Sequence, residues 1–149
     1  MRFVLATRRS RRVLGLVTIV ATCAAGVSRA QSSKSVWSGI YTESQATAGE
    51  TLFGDYCANC HGDDLEGVEE APALAGGTFG QRWHGATLKK LFERMEEMPP
   101  KEPKSLTAKQ YADILAFLLS ANKFPAGPAP LMPDRGALSE ITITSVRPK

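Results

Sequence analysis

Apolar residues recur at helical spacing in three stretches of the chain. Leu52, Phe53, Tyr56 and Cys60 follow Thr47-Ala48-Gly49-Glu50, a T-x-x-E capping box, so a helix is expected from about residue 48 into the segment around Cys60. Leu88, Leu91, Phe92 and Met95 stand at i, i+3, i+4 and i+7 and predict a shorter helix. Tyr111, Ile114, Leu115, Leu118 and Leu119 make the strongest apolar face. A second box, Thr107-Ala108-Lys109-Gln110, opens that helix, and it should close near Asn122, before Phe124-Pro125. Further on, Ala126-Gly127-Pro128-Ala129-Pro130 gives way to the alternation Ile141-Thr142-Ile143-Thr144-Ser145-Val146. This reads as a linker followed by a short strand or docking segment, free to lie back on the domain or to engage a partner. The pattern predicts an all-α domain whose core is small for its length, which is workable if a large apolar cofactor completes it.

One apolar run, Val13 to Val27, belongs to no such face. It follows Arg2, Arg8, Arg9, Arg11 and Arg12 and precedes Ser28 and Ala30, the layout of a secretory signal cleaved after Ala30. A membrane anchor is the rival, but crossing the hydrocarbon takes about 20 apolar residues and this run is shorter. Cys23 follows Thr22, a poor fit to a lipid-acceptor site, and Ser10-Arg11-Arg12 only faintly resembles a twin-arginine signal. The expected organisation is a signal peptide over 1–30, an N-terminal linker over 31–46, a folded domain over 47–125 and a Pro-rich tail over 126–149.

A chain of 149 residues has room for one domain, and 43% hydrophobic with 22% charged residues excludes a disordered or polytopic membrane chain. The net charge of +3 would suggest nucleic-acid binding. However, residues 1–30 hold six arginines and no acid, and without them twelve basic residues face fifteen acidic ones. The exported chain is therefore expected to be acidic, with no nucleic-acid partner. Asp55, Asp63, Asp64, Glu66, Glu69 and Glu70 form an acidic run without a base, either a solvated surface or one that steers a basic partner.

After export only Cys57 and Cys60 remain. Two cysteines so spaced in an oxidising compartment would ordinarily be a redox-active disulfide. The next residue changes this, because Cys57-Ala58-Asn59-Cys60-His61 is the C-x-x-C-H signature of c-type haem attachment. On a helical turn both sulfurs reach one edge of the porphyrin, and His61 can ligate iron as the proximal ligand. A thioredoxin-like site would need a preceding strand, which the sequence lacks. A structural zinc site needs four ligands, and outside the motif only His84 remains.

A second axial ligand should come from a loop that closes after the cofactor is in place. Met95 lies on the apolar stripe of its helix and reads as core. Met98 lies just past that stripe, before Pro99-Pro100, where the chain leaves helical geometry, and is the better candidate. Met132 sits in the Pro-rich tail with no scaffold. His84, beside Trp83, offers a competing bis-His arrangement and otherwise reads as a surface or packing residue.

These motifs give the chain a resemblance to class I cytochrome c, covering 36–127. It is similar in particular to the monohaem domains associated with quinoprotein alcohol dehydrogenases. The resemblance rests on Gly49-x-x-x-Phe53-x-x-x-Cys57, Cys57-x-x-Cys60-His61-Gly62, Leu65-Glu66-Gly67, Ala71-Pro72-Ala73-Leu74-Ala75-Gly76, Met98-Pro99, Ser105-Leu106 and Tyr111 to Leu119. It implies N- and C-terminal helices crossing around one covalently bound haem c, with Gly49 and Phe53 meeting the last helix near Phe117. It further implies that the Pro72 carbonyl holds the outer N–H of His61, and that Trp83 either packs on the haem edge, reaches a propionate or serves the core. The chain departs from the family at Pro103-Lys104, where a Pro-Gly step is common, leaving the shape of that loop open.

The expected function is a periplasmic electron carrier rather than an enzyme, since His and Met on both faces of the iron leave no position for substrate. Its partners would be redox proteins, a dehydrogenase and an oxidase or another cytochrome, with membrane association only through a partner or an uncleaved leader. A haem-based sensor with a displaceable sixth ligand and a thiol oxidoreductase using Cys57 and Cys60 are the alternatives.

Overall fold

Threonine side chains cap three of the α-helices at their N-termini. The protein, as a computed structural model, is described over residues 34–147; the leader, with its cleavage site, anchor reading and Cys23, lies outside the described residues. Six α-helices are present there: α1 (Glu43–Tyr56), α2 (Ala58–His61), α3 (Gly76–Trp83), α4 (Leu88–Glu96), α5 (Ala108–Ala121) and α6 (Arg135–Ser139). Thr87 caps α4 and Asp134 caps α6, each side-chain oxygen accepting a backbone N–H of the first turn. The predicted box at α5 is complete, with the Gln110 N–H donating to the Thr107 hydroxyl (3.3 Å) and the Thr107 N–H to Gln110 Oε1 (2.9 Å).

Two helix expectations are corrected. α1 starts before the Thr47 box, at Thr42, whose hydroxyl accepts the Gln45 N–H at 3.2 Å, while Thr47 is interior and bonds the Glu43 carbonyl. Either threonine satisfies the local pattern; burial of Gln45 and Ala46 favours the earlier start. The helix also breaks at Cys57 (φ −124°, ψ −34°) instead of running through the motif, and α2 restarts at Ala58. Helix α3 has no clear periodic signal, because only Phe79 and Trp83 mark its buried face and two glycines open it.

The crossing of α1 with α5 organises the domain. A Cβ at Gly49 would strike the Asp113 carbonyl and come within 2.9 Å of the Ile114 nitrogen, so only glycine lets the backbones meet there. One turn on, the Phe53 and Phe117 rings pack at 5.3 Å between centroids, as the resemblance implies. Buried side chains form two clusters. The larger gathers α3, α4 and α5 around Leu88, Phe92, Leu115 and Leu119, and the smaller sets Phe53, Ala58, Leu65, Ile114 and Leu118 beside the cysteine motif. Met95 and Leu106 touch both.

The flanking segments belong to the larger cluster. Val36 and Tyr41, in the expected linker, and Leu131, Leu138, Ile141 and Ile143, in the expected tail, are all buried there. The alternating stretch does form a short strand. β1 (Lys34–Ser35) pairs in parallel with β2 (Ile141–Thr142), and Ile143 exchanges backbone hydrogen bonds with Gly85 and Ala86 in the α3–α4 turn, both 2.8 Å. Gln45 fastens the tail from within α1: its Nε2 donates to the Leu131 carbonyl (2.9 Å) and its Oε1 accepts the Leu131 N–H (2.7 Å). The sequence leaves the destination of the tail open because a half-apolar strand can pair with its own domain or with another chain equally well.

Candidate functional site

Cys57, Cys60 and His61 are set by the break between α1 and α2. Cys57 caps α2, and its carbonyl accepts the N–H groups of Cys60 (3.1 Å) and His61 (3.0 Å), which winds the motif into one turn. Both thiols are free, Cys57 half-buried and Cys60 exposed. Burial, with a smaller contribution from Cys60, pushes the Cys57 thiol up to about 11. A redox-active thiol needs the opposite, a lowered pKa that supplies thiolate near neutrality. The environment therefore disfavours the thiol oxidoreductase reading.

The loop after α2 folds back under His61. The Gly67 N–H donates to the His61 carbonyl (2.8 Å) and the Leu74 N–H to the Leu65 carbonyl (2.8 Å), which closes the loop from both sides. Gly67 has φ +79°, and a Cβ there would lie 2.5 Å from the Ala71 carbonyl and 2.8 Å from the Pro72 carbonyl carbon. Only glycine lets the returning strand approach so closely. The approach brings the Pro72 carbonyl 3.0 Å from His61 Nδ1. A carbonyl only accepts, so Nδ1 carries the proton and Nε2 keeps its lone pair for a metal.

Met98 ends the turn after α4. It is half-buried and belongs to neither apolar cluster of the described residues, whereas Met95 packs against both. Tyr111, on α5, donates its hydroxyl to the Met98 carbonyl at 3.3 Å. The Lys104 N–H donates to the Glu96 carbonyl at 2.8 Å and closes the loop between α4 and α5. Lys104 itself has φ +58°, the left-handed conformation that a glycine would take without strain. At the Pro-Gly departure, lysine thus occupies a backbone conformation that favours glycine. Tyr111 reads in the sequence only as a core position, and no pattern there signals that its hydroxyl reaches the Met98 backbone.

Trp83 is buried in the larger cluster rather than beside the motif. His84 is exposed and engaged by the tail, its Nδ1 accepting the Ser145 N–H at 3.1 Å. A cleft of about 850 Å³ between Trp37, Phe79 and Phe124 contains none of the motif residues. A second cleft, of about 560 Å³, opens at Cys60 against Val68, Glu69 and Glu70. The six acids from Asp55 to Glu70 are exposed and make no salt bridge among the described residues.

This arrangement fits haem c: two free thiols on one turn, a tautomer-locked histidine after them and an apolar cluster alongside. Residues 44–118, half of the chain, match the model of the family described as cytochrome c oxidase, cbb3-type, subunit III. A chain of the sulfane dehydrogenase SoxCD from Paracoccus pantotrophus superposes with a TM-score of 0.53 at 25% identity, covering 71% of this chain. The match spans 61% of that chain's length. No curated protein matches. With the crossing helices, the attachment motif and the family model in agreement, the chain belongs to this cytochrome family, as a class I monohaem c-type cytochrome with an electron-carrying haem c.

Proposed function

We propose that the protein is a periplasmic electron shuttle, with His61 and Met98 as axial ligands, serving a dehydrogenase on one side and an oxidase or another cytochrome on the other. The hydrogen bond between His61 Nδ1 and Pro72 carries this reading, because it presents Nε2 to a metal in a fixed orientation. When bound, haem c supplies a one-electron couple. The chain's part is to hold the two axial donors, keep water from them and offer a surface to partners. Met98, outside the apolar clusters and held through its carbonyl by Tyr111, supports assignment of the thioether to iron. Engagement of His84 by Ser145 speaks against the bis-His arrangement. Trp83, buried in the larger cluster, is read as a core residue.

The leader-like residues 1–30 support export, and the neighbour's name supports a dehydrogenase as donor. Whether that donor is a sulfane or a quinoprotein dehydrogenase is decided by reduction assays with each purified enzyme.

The test of the ligand set is optical. The ferric protein should show the weak long-wavelength sulfur-to-iron band, lost in Met98→Ala and retained in Met95→Ala. Loss only in the Met95 variant overturns the assignment. Rapid carbon monoxide binding by the ferrous wild type at neutral pH would instead establish the sensor reading.

A further inference from the structure

The tail does more than cover the core. Arg135, the first residue of α6, lies against α4. Its Nη2 is 2.7 and 2.9 Å from the two carboxylate oxygens of Glu96, and its Nη1 is 3.2 Å from Glu93. Its guanidinium carbon stands 5.8 Å from the centroid of the Phe92 ring. Both Glu96 and Phe92 lead directly to the loop that carries Met98. The carbonyl of Glu96 accepts the Lys104 N–H that closes the loop. Phe92 meets the Tyr111 ring edge-on, 6.3 Å between centroids, and Tyr111 donates to the Met98 carbonyl.

We propose that Arg135 is a positioning residue that clamps the C-terminal turn of α4 and so restrains opening of the Met98 loop. The inference rests on the reading of Met98 as axial ligand. An ordinary surface ion pair would contribute little. This one differs in that the guanidinium spans two carboxylates of α4, Nη2 reaching both oxygens of Glu96, whose side chain is only 12% exposed, and Nη1 reaching Glu93, while the same group covers an aromatic face. Its anchorage is independent of the loop, because the Gln45–Leu131 bonds, buried Leu138 and the β1–β2 pair set the position of the tail. Arg135 therefore joins the loop to a fixed frame.

The experiment is imidazole binding to the ferric holoprotein, followed by stopped flow. At saturating imidazole the rate reports loop opening: the thioether leaves, an imidazole nitrogen takes its place, and the oxidation state is unchanged. Arg135→Ala should raise that limiting rate about three- to tenfold, with the long-wavelength band intact before imidazole is added. Arg135→Lys, which keeps the charge and loses the planar group that spans Glu93 and Glu96, should fall between. Lys89→Ala, which removes an exposed pair from the same helix (Lys89 to Glu93, 3.9 Å), should leave the rate at the wild-type value. A lowered unfolding midpoint in Arg135→Ala with an unchanged opening rate would show a merely stabilising contact and overturn the inference, as would equal acceleration by Lys89→Ala. Absence of the long-wavelength band in the wild type would instead overturn the Met98 assignment, and this inference with it.

Discussion

The Nδ1–H of His61 donates to the carbonyl of Pro72 across 3.0 Å, and the residue that permits this contact is Gly67. A hydrogen bond of this kind makes the imidazole a more basic ligand, which favours ferric iron. Gly67→Ala should push Ala71 and Pro72 away from the ring and place alanine at a left-handed φ. We expect a loss of about 3 kcal/mol in unfolding free energy and a midpoint potential above that of the wild type. Redox titration checks the second point, and a potential at or below the wild-type value would count against the coupling.

The helix crossing gives a sharper contrast on one element. Gly49→Ala would drive a methyl group into the Asp113 carbonyl, so it should cost more than about 3 kcal/mol or abolish maturation. Gly54 lies on the same helix, and a methyl group there would meet nothing within 4 Å. Gly54→Ala should therefore stabilise, by up to about 1 kcal/mol, through helix propensity alone. Denaturant unfolding of the pair separates a crossing effect from a helix effect; equal behaviour of the two variants refutes the close-contact account.

Lys104 carries a conformational cost at φ +58° and, exposed as it is, has no packing to lose. Lys104→Gly should raise stability by about 0.5–1 kcal/mol while leaving the visible spectrum unchanged. A spectrum that loses its long-wavelength band would mean that the lysine side chain itself shapes the Met98 loop.

The unpaired acids around the motif should steer a basic partner to the edge where Cys60 is exposed. Reduction by the proposed dehydrogenase donor should slow as ionic strength rises. Changing Glu69 and Glu70 together to lysine should slow it further at low salt and flatten the salt dependence. A rate constant independent of salt between low and high ionic strength removes the steering idea.

The attachment motif, helix α4 and the capped helix α5 are legible in the sequence because each rests on local spacing. A thiol pair followed by histidine, an apolar stripe at i, i+3, i+4 and i+7 and a hydroxyl three residues before a glutamine all carry their meaning within one or two turns of chain. Even locally the reading has limits: Thr42 and Thr47 fit the same capping pattern, and burial of Gln45 and Ala46 decided between them. What tertiary structure alone decided involves residues far apart in sequence. It joins Gln45 to Leu131, lays β2 on β1, sets Arg135 on Glu96 and Phe92, and carries the hydroxyl of Tyr111 to Met98. These contacts depend on backbone positions fixed by packing, and neither periodicity nor composition encodes which of several exposed partners a guanidinium or a strand edge will meet.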